Sequence, residues 1–233
     1  MTTLLVAHGT RNTHGVAMIG DLAHAMSRRL DDEVRVGFVD VLGPDPAAAL
    51  DGIGGTDTVR VVPAFLASGY HVRTDLPDYL DRAPRRTVVS EALGPDPALA
   101  EAMTARLVAA GARPGDAVVL AAAGSRDRQA QADVAAMGRL LSARLGAPVE
   151  IGFVLPAADG SGHPPVSEVV GRVRNQRPGA RVAVASYLLA DGLFARRLHD
   201  TGADVVADPL GLHPAVVDLA CRRAESARTV LAA

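Results

Sequence analysis

Residues 4–12 have the sequence LLVAHGTRN, and residues 119–127 have the closely similar sequence VLAAAGSRD. In both segments a short apolar run leads into a small or polar residue, a glycine and a hydroxyl residue. This order is typical of a buried strand that turns towards a helix. The chain is therefore predicted to contain two copies of one folding unit.

Two further matches support the duplication. Residues 36–39 (VGFV) correspond to residues 151–154 (IGFV) at the same offset, and residues 93–97 (LGPDP) correspond to residues 210–214 (LGLHP). The matched segments follow one another in the same order in both halves. The similarity therefore extends over most of the chain.

The first half alternates strand-like and helix-like patterns. Apolar runs predict strands at residues 4–7, 34–41 and 59–65, and apolar residues at helical spacing predict a helix at residues 16–30. Such alternation favours a parallel sheet covered by helices on both faces. We expect two similar α/β domains with doubly wound parallel sheets that face each other.

A cluster of Pro and Gly at residues 111–115 marks the predicted boundary between the copies. The predicted domains are residues 1–112, which carry the candidate site, and residues 113–233, the duplicated copy that lacks its histidines.

The composition excludes several classes of function. All 24 basic residues are arginines, so Walker-type phosphate loops, lysine Schiff bases and Ser/Lys dyads are ruled out. Cys221 is the only cysteine, so one chain cannot form a disulfide, and a metal must be held by nitrogen and oxygen. A net charge of -2 gives no general attraction to nucleic acid. With no signal sequence and no apolar run long enough for a membrane span, we expect a cytoplasmic protein.

Three polar residues follow the first three predicted strands. His8 comes after the first strand, Asp40 ends the second, and His71 follows the third through a short loop that contains Gly69. In open parallel sheets the carboxyl ends of the strands form the ligand-binding edge. Two imidazoles and a carboxylate suit Fe²⁺, Co²⁺, Ni²⁺ or Zn²⁺ better than Ca²⁺ or Mg²⁺.

The second copy replaces each of these residues with an apolar one. Ala123 takes the place of His8, Leu155 takes the place of Asp40, and His71 corresponds to Leu193 or Phe194, depending on a one-residue gap. Purely structural residues would be expected to survive in part. The pattern indicates that one half kept a site and the other lost it.

Other interpretations remain for these residues. A histidine after a strand is often a cap, and Asp40 is an equally good candidate to cap the next helix. A histidine phosphatase would need a cation before His8, but Ala7 stands there. The remaining histidines are predicted to lie on the surface or at helix entries, and they are His14, His24, His163, His199 and His213.

Three motifs together resemble one family. They are AHGTR at residues 7–11, GFVD at residues 37–40 and GYHVRTDLP at residues 69–77. They look like the sirohydrochlorin chelatases, the class II tetrapyrrole chelatases of siroheme and cobalamin synthesis. The resemblance spans both halves and is to the long, duplicated bacterial form. It implies two flavodoxin-like domains around a central cleft.

The resemblance also implies the site residues. His8 and His71 match the catalytic, metal-binding histidines, and Asp40 matches an acidic ligand that is more often Glu in the family. Sirohydrochlorin is a polycarboxylate, so arginines near the strand ends are candidate partners for it. The implied substrate-binding residues are Arg11, Arg73, Arg126, Arg196, Gly69 and Tyr70.

The implied activity is ATP-independent insertion of a divalent metal ion into sirohydrochlorin. Fe²⁺ is favoured, Co²⁺ comes next, Ni²⁺ is a third candidate, and no nucleotide is required. The expected partner is the small tetrapyrrole alone, with no nucleic acid or membrane, and the fused halves favour a monomer that is an internal pseudo-dimer. The alternative is a tetrapyrrole or metal carrier that performs no catalysis.

Overall fold

The computed structural model of the protein describes residues 2–83, 85–157 and 160–232. Strands and helices alternate through these residues, as the apolar pattern predicts. No helix in the described ranges is both long enough and apolar enough to cross a membrane.

The first half of the chain contains the following elements. Its strands are β1 (Thr2–Ala7), β2 (Glu33–Phe38), β3 (Val59–Pro63) and β4 (Thr87–Val89). Its helices are α1 (Thr13–Leu30), α2 (Pro46–Asp51), α3 (Leu76–Arg82) and α4 (Pro97–Ala109). A π-helical turn, His71–Asp75, leads directly into α3.

The second half repeats this order. Its strands are β5 (Ala117–Ala122), β6 (Val149–Phe153), β7 (Val182–Tyr187) and β8 (Val205–Val206). Its helices are α5 (Arg128–Leu145), α6 (Val166–Gln176), α7 (Leu193–Leu198) and α8 (Pro214–Ala232).

Each half forms one parallel sheet. The strand orders are β2-β1-β3-β4 and β6-β5-β7-β8. In each sheet the second strand lies outside the first, and the chain then crosses to the other side of the first strand. This is the order of a flavodoxin-like, doubly wound sheet, which places a ligand-binding edge at the carboxyl ends of the first three strands. The predicted fold class of two doubly wound, parallel α/β sheets is confirmed.

The compact units of the structure differ from the sequence repeats. Unit 1 consists of Met1–Leu93 with Pro214–Ala233, and unit 2 consists of Gly94–His213. Helix α4 packs on α5 and β7, whereas α8 packs on α1, β3 and β4. Each half thus contributes its last helix to the other unit. The predicted limits 1–112 and 113–233 separate the two repeats, and these are not the two packed units.

Both exchanged helices bury an apolar face. In α4 the buried residues recur every three or four positions and include Leu99, Met103 and Leu107. In α8 the same spacing buries Val216, Leu219, Ala220, Ala224 and Ala227. This is the amphipathic pattern of a helix that covers a sheet or packs on other helices.

The turn after the first strand has the same construction in both halves. A Cβ atom on Gly9 would lie 2.2 Å from the carbonyl oxygen of Asp40, and one on Gly124 would lie 2.1 Å from that of Leu155. Both glycines also have positive φ angles, +92° and +115°. Only glycine fits such a position. The close approach brings residue 40 beside residue 8 and residue 155 beside residue 123.

Matching caps then start the first helix of each half. The Asn12 side chain accepts hydrogen bonds from the backbone N–H groups of residues 14 and 15, and the Asp127 side chain accepts them from those of residues 129 and 130. Such caps satisfy N–H groups that have no partner inside the helix. The cap explains why α1 begins at Thr13, three residues before the start that apolar spacing predicts.

Candidate active site

His8 is the first residue after β1 and is exposed at the carboxyl edge of the first sheet. Its Nδ1 atom lies 3.2 Å from the carbonyl oxygen of Gly9. The sharp turn at Gly9 sends the chain away from the sheet at this point. His8 therefore lies at the carboxyl end of β1 and is not part of a helix.

His71 reaches the same edge from β3. The chain leaves β3 through a loop whose Gly69 carbonyl accepts hydrogen bonds from the backbone N–H groups of Val72 and Arg73. His71 is the first residue of the π-helical turn. The His8 and His71 rings meet edge to face, with centroids 4.6 Å apart and planes at 88°. Two residues that are 63 positions apart in the sequence (71 − 8) therefore form one pair of imidazoles.

Asp75 completes this pair by holding one of its rings. The Nδ1 atom of His71 lies 2.6 Å from Oδ2 of Asp75, one turn further along the π-helical segment. Because an ionised carboxylate only accepts hydrogen bonds, this contact favours the tautomer in which Nδ1 carries the proton and Nε2 is the acceptor atom. Sequence reasoning assigned no role to Asp75. The only available signal was its spacing of four residues from His71 inside the GYHVRTDLP motif.

Two aromatic rings flank His71. Phe65 lies nearly parallel to the imidazole, with centroids 6.5 Å apart and planes at 24°. Tyr70 approaches it edge on at 6.1 Å and is 60% exposed. The predicted site residues Gly69 and Tyr70 are therefore next to the imidazole pair, Gly69 through its carbonyl at the start of the π-helical turn and Tyr70 through its exposed ring.

Asp40 stabilises a tight turn at the end of β2. Its carboxylate accepts a hydrogen bond of 2.7 Å from the N–H of Val41, and its carbonyl accepts one of 2.8 Å from the N–H of Leu42. The second bond closes a γ-turn around Val41, whose φ is +69°. This turn explains why β2 stops at Phe38, short of the predicted end at residue 41. Helix α2 is capped by another residue, Asp45, so the capping interpretation of Asp40 is wrong.

The predicted three-ligand set of His8, Asp40 and His71 is not assembled. In the part of the chain that the structure describes, no three His, Cys, Asp or Glu side chains are arranged to hold a metal ion. The Asp40 carboxylate accepts a hydrogen bond from the backbone N–H of Val41 in its own turn. The imidazole pair is the part of the predicted set that the fold brings together.

The register of the strands resolves the ambiguous match to His71. Thr3 pairs with Arg60 in the first sheet, and the equivalent Val118 pairs with Ala183 in the second. Arg60 and Ala183 are therefore equivalent residues of the two halves. Counting the same number of residues onward from each makes Phe194 the equivalent of His71. The backbone agrees, because the N–H of Arg73 donates to the Gly69 carbonyl and that of Arg196 donates to the Gly192 carbonyl.

With this register, unit 2 has an apolar residue at each position of the site. Ala123 replaces His8 and Phe194 replaces His71, and both pack against the hydrophobic core of unit 2. By the same count, Leu198 replaces Asp75 and is buried. Leu155 replaces Asp40, and its N–H donates to the Ala123 carbonyl as that of Asp40 donates to His8.

The four predicted arginines occupy two pairs of equivalent positions. Arg11 and Arg73 belong to unit 1, and Arg126 and Arg196 belong to unit 2. All four are exposed. Their positions match in the repeat, since residue 11 corresponds to 126 and residue 73 to 196.

The other histidines lie apart from the imidazole pair. Four of them are in α1, at the end of α7 or just before α8, and they are His14, His24, His199 and His213. His163 stands edge on to Phe153 at 5.1 Å, and burial lowers its pKa below the ordinary histidine value. None of these five is within the ring contacts that join His8 and His71 in the described structure.

Comparisons of the sequence with known proteins all point to one family. The CbiX family model matches the chain twice, over residues 2–110 and 117–227. Sirohydrochlorin cobaltochelatase from Methanothermobacter thermautotrophicus is 34% identical over 79 residues, which are 33% of this chain and 55% of that protein. The enzyme of the same name from Methanosarcina barkeri is 32% identical over 80 residues, 33% of this chain and 62% of its own length. The matches thus span little more than half of these relatives.

Solved structures agree on the fold. SirB from Bacillus subtilis with Fe³⁺ superposes with a TM-score of 0.81 at 21% identity, covering 97% of this chain and 94% of SirB. A multi-domain protein from Deinococcus radiodurans with structural similarity to chelatases gives a TM-score of 0.70 at 24% identity, covering 96% of this chain and 54% of that one. Both likenesses extend over nearly the whole of this chain.

Proposed function

Because this chain belongs to the CbiX family, we propose that it inserts a divalent metal ion into sirohydrochlorin without ATP. The observation that carries this proposal is the imidazole pair, with the His8 and His71 rings 4.6 Å apart at the carboxyl edge of the first sheet. The names of the relatives support it, since those from Methanothermobacter and Methanosarcina are sirohydrochlorin cobaltochelatases.

Metal insertion needs two kinds of chemistry at one place. Two pyrrole protons must leave the macrocycle as the ion enters, so that charge is conserved. A neutral imidazole accepts a proton near pH 7, and the same nitrogen is a good ligand for first-row divalent metals. In our proposal the paired rings of His8 and His71 share these tasks. One would receive the ion from solution, and the other would take up the two pyrrole protons one after the other and release each to solvent.

The imidazole ligands narrow the choice of the inserted metal ion but do not select a single one. Imidazole nitrogen suits Fe²⁺, Co²⁺ and Ni²⁺, and the affinity order for these ions does not report which one a cell supplies. We propose Fe²⁺ first, then Co²⁺, with Ni²⁺ as a third candidate. Initial rates with each ion at equal free concentration would rank them.

The macrocycle would be held beside the imidazole pair by groups of unit 1. The exposed ring of Tyr70 offers an aromatic surface, and Arg11 and Arg73 offer guanidinium groups for carboxylates. This arrangement would place the pyrrole nitrogens near His8 and His71.

The proposal predicts that the protein accelerates metallation of sirohydrochlorin. The measurement is anaerobic absorption spectroscopy with Fe²⁺ or Co²⁺, comparing initial rates with and without protein. We expect a rate well above the uncatalysed one, without added nucleotide. If the protein binds sirohydrochlorin but leaves the rate unchanged, the chain is a carrier and the chelatase proposal is wrong.

We further propose that Asp75 is a positioning residue for His71. Groups that hold a metal-binding imidazole through its other nitrogen typically change affinity or activity by about 10–100-fold when removed. Asp75→Ala should therefore lower kcat by about 10-fold or more, because Nε2 would lose its fixed protonation state and orientation. Asp75→Asn keeps a hydrogen-bond acceptor and should recover much of the rate.

The matched control is Asp78→Ala, which removes an exposed carboxylate from the next helix, α3. It should keep the wild-type rate. A second readout is the downfield ¹H NMR resonance expected for the Nδ1–H of His71. If Asp75 had a purely structural role, replacing it would not change this resonance. That resonance should vanish in both Asp75→Ala and His71→Ala, and its survival in Asp75→Ala would contradict the positioning role.

A further inference from the structure

Tyr79 links the helix that follows His71 to the loop that follows β2. It lies on α3, one helical turn beyond Asp75, and its hydroxyl donates a hydrogen bond of 3.2 Å to the carbonyl oxygen of Val39. These two residues are 40 positions apart in the sequence. The bond therefore joins the segment that carries His71 and Asp75 to the segment that carries Asp40.

The loop after β2 is also bound to the segment that carries His8. The backbone N–H groups of Val39 and Asp40 donate to the carbonyl oxygens of residues 7 and 8, at 3.0 and 3.1 Å. One short loop is thus hydrogen-bonded to the backbone of His8 on one side and to the Tyr79 hydroxyl on the other. A continuous set of bonds connects the two segments from which the paired imidazoles project.

This loop contains a strained residue. Val41 has a φ of +69°, which is rare for a β-branched residue. Its side chain is 45% exposed, so side-chain burial does little to hold this conformation. Strained backbone persists where the surrounding structure holds it in place. The Tyr79 hydroxyl supplies one such restraint, two residues before Val41.

The ring of Tyr79 is itself held by packing. It contacts the hydrophobic cluster of the first sheet, which includes Val39 and Leu76. Phe65 packs against the same cluster, and its ring lies nearly parallel to that of His71. Because the Tyr79 ring is packed, its hydroxyl is aimed at the loop with little freedom to turn away.

Unit 2 lacks this link as well as the imidazole pair. Helix α7 ends at Leu198, and residues 199–204 are not helical, so unit 2 has no counterpart of α3 in this stretch. Counting onward from the matched strands places Gly202 at the position of Tyr79. Pro156 takes the position of Val41, and a proline ring fixes φ at about −65°. The link and the strained turn are therefore found in the copy that keeps the histidines.

We propose that Tyr79 is a positioning residue that maintains the contact between the His8 and His71 rings. Its hydroxyl holds α3 against the loop after β2, and that loop holds the backbone of His8. Without the hydroxyl, the two segments separate more often, and the rings spend part of the time out of contact. The consequence for turnover rests on the proposed function, whereas the ring contact itself does not.

The test is Tyr79→Phe in the full chain, which removes the hydroxyl and keeps the packed ring. The first readout is the ¹H NMR spectrum of the histidine ring protons, without metal or tetrapyrrole. An edge-to-face neighbour shifts these protons by its ring current, and His71→Ala gives the His8 signals without that neighbour. In Tyr79→Phe the His8 signals should move towards their positions in His71→Ala, and the NOE between the two rings should weaken.

The second readout is the rate of Co²⁺ insertion into sirohydrochlorin. In Tyr79→Phe, kcat should fall by about 3–10-fold, the change in population that one hydrogen bond supports. KM should stay within about twofold of wild type, because the groups proposed to hold the macrocycle are unchanged.

The matched control is Arg82→Ala. Arg82 is exposed on α3, and its guanidinium carbon lies 4.7 Å from the centroid of the Tyr79 ring. This variant removes a contact of the same ring but keeps the hydroxyl, so the His8 signals and kcat should match those of wild type. Signals that move as far in Arg82→Ala as in Tyr79→Phe would indicate general loosening of α3 and would overturn the inference.

The two readouts separate this inference from the proposed function. If the His8 signals of Tyr79→Phe coincide with those of wild type, the hydroxyl does not maintain the ring contact and the inference is overturned, even where the urea unfolding midpoint is lower. If the signals move but the wild type does not metallate sirohydrochlorin, the chelatase proposal fails and the positioning role of Tyr79 stands.

Discussion

Replacing either His8 or His71 with alanine is expected to lower kcat for sirohydrochlorin metallation by about 100-fold or more, because positioned acid–base groups contribute at least that factor. The two rings are in contact at 4.6 Å, so each variant removes one partner of a single unit. The double variant should therefore be little slower than the slower single variant, since residues that act together are not additive. The measurement is the anaerobic initial rate at saturating sirohydrochlorin.

His24→Ala is the matched control, since His24 is exposed on α1 of the same unit. It should retain full activity. Binding of metal-free sirohydrochlorin should change little in any of these variants, because the proposed carboxylate contacts are made by arginines. Rates for His8→Ala and His71→Ala within about twofold of wild type would show that the imidazole pair does not handle the metal or the protons.

Replacing Gly9 with alanine is expected to cost about 3–5 kcal/mol of stability, because two penalties add. The residue has a φ of +92°, and its new Cβ would overlap the Asp40 carbonyl oxygen at 2.2 Å. Neither atom is the end of a flexible side chain, so the turn itself must move. The measurement is the urea unfolding midpoint followed by circular dichroism.

Gly55→Ala isolates the first of these penalties. Gly55 has a φ of +78°, and a Cβ there would meet nothing within 4 Å. This variant should lose about 1 kcal/mol of stability, which is the cost of the left-handed conformation alone. Equal midpoints for Gly9→Ala and Gly55→Ala would contradict the close approach of residues 9 and 40.

The imidazole pair was predictable from the sequence because its two residues follow strands. His8 comes directly after β1 and His71 follows β3 through the loop of residues 64–70, so both lie beyond the carboxyl ends of parallel strands, where loops meet at one edge of the sheet. The repeat was visible for a similar reason. Gly9 and Gly124 allow the close approach of two loops in their respective copies. Because both copies require this glycine, the short motif around it is recognisable in both.

The role of Asp75 was not predictable, since a four-residue spacing joins two side chains only if the backbone is helical there. Nothing in the apolar pattern marks the π-helical turn, and the loop before it is not periodic. The conformation of Asp40 was not predictable for the opposite reason. Its position at the strand end was correct, but its carboxylate binds the backbone of a γ-turn that no propensity signals.

The compact units were not predictable from the repeat because the two copies are alike. A helix that fits the first sheet also fits the second, so the pattern of apolar residues cannot tell which sheet it covers. Only the three-dimensional packing distinguishes them, and it assigns α4 to unit 2 and α8 to unit 1.

This exchange of helices sets an order of events during protein synthesis. Every residue of Gly94–His213 leaves the ribosome before α8 does. The unit that stands second in the chain can therefore complete its packing first. The unit that carries the imidazole pair must wait, with one side of β3 and β4 uncovered, until α8 has been translated.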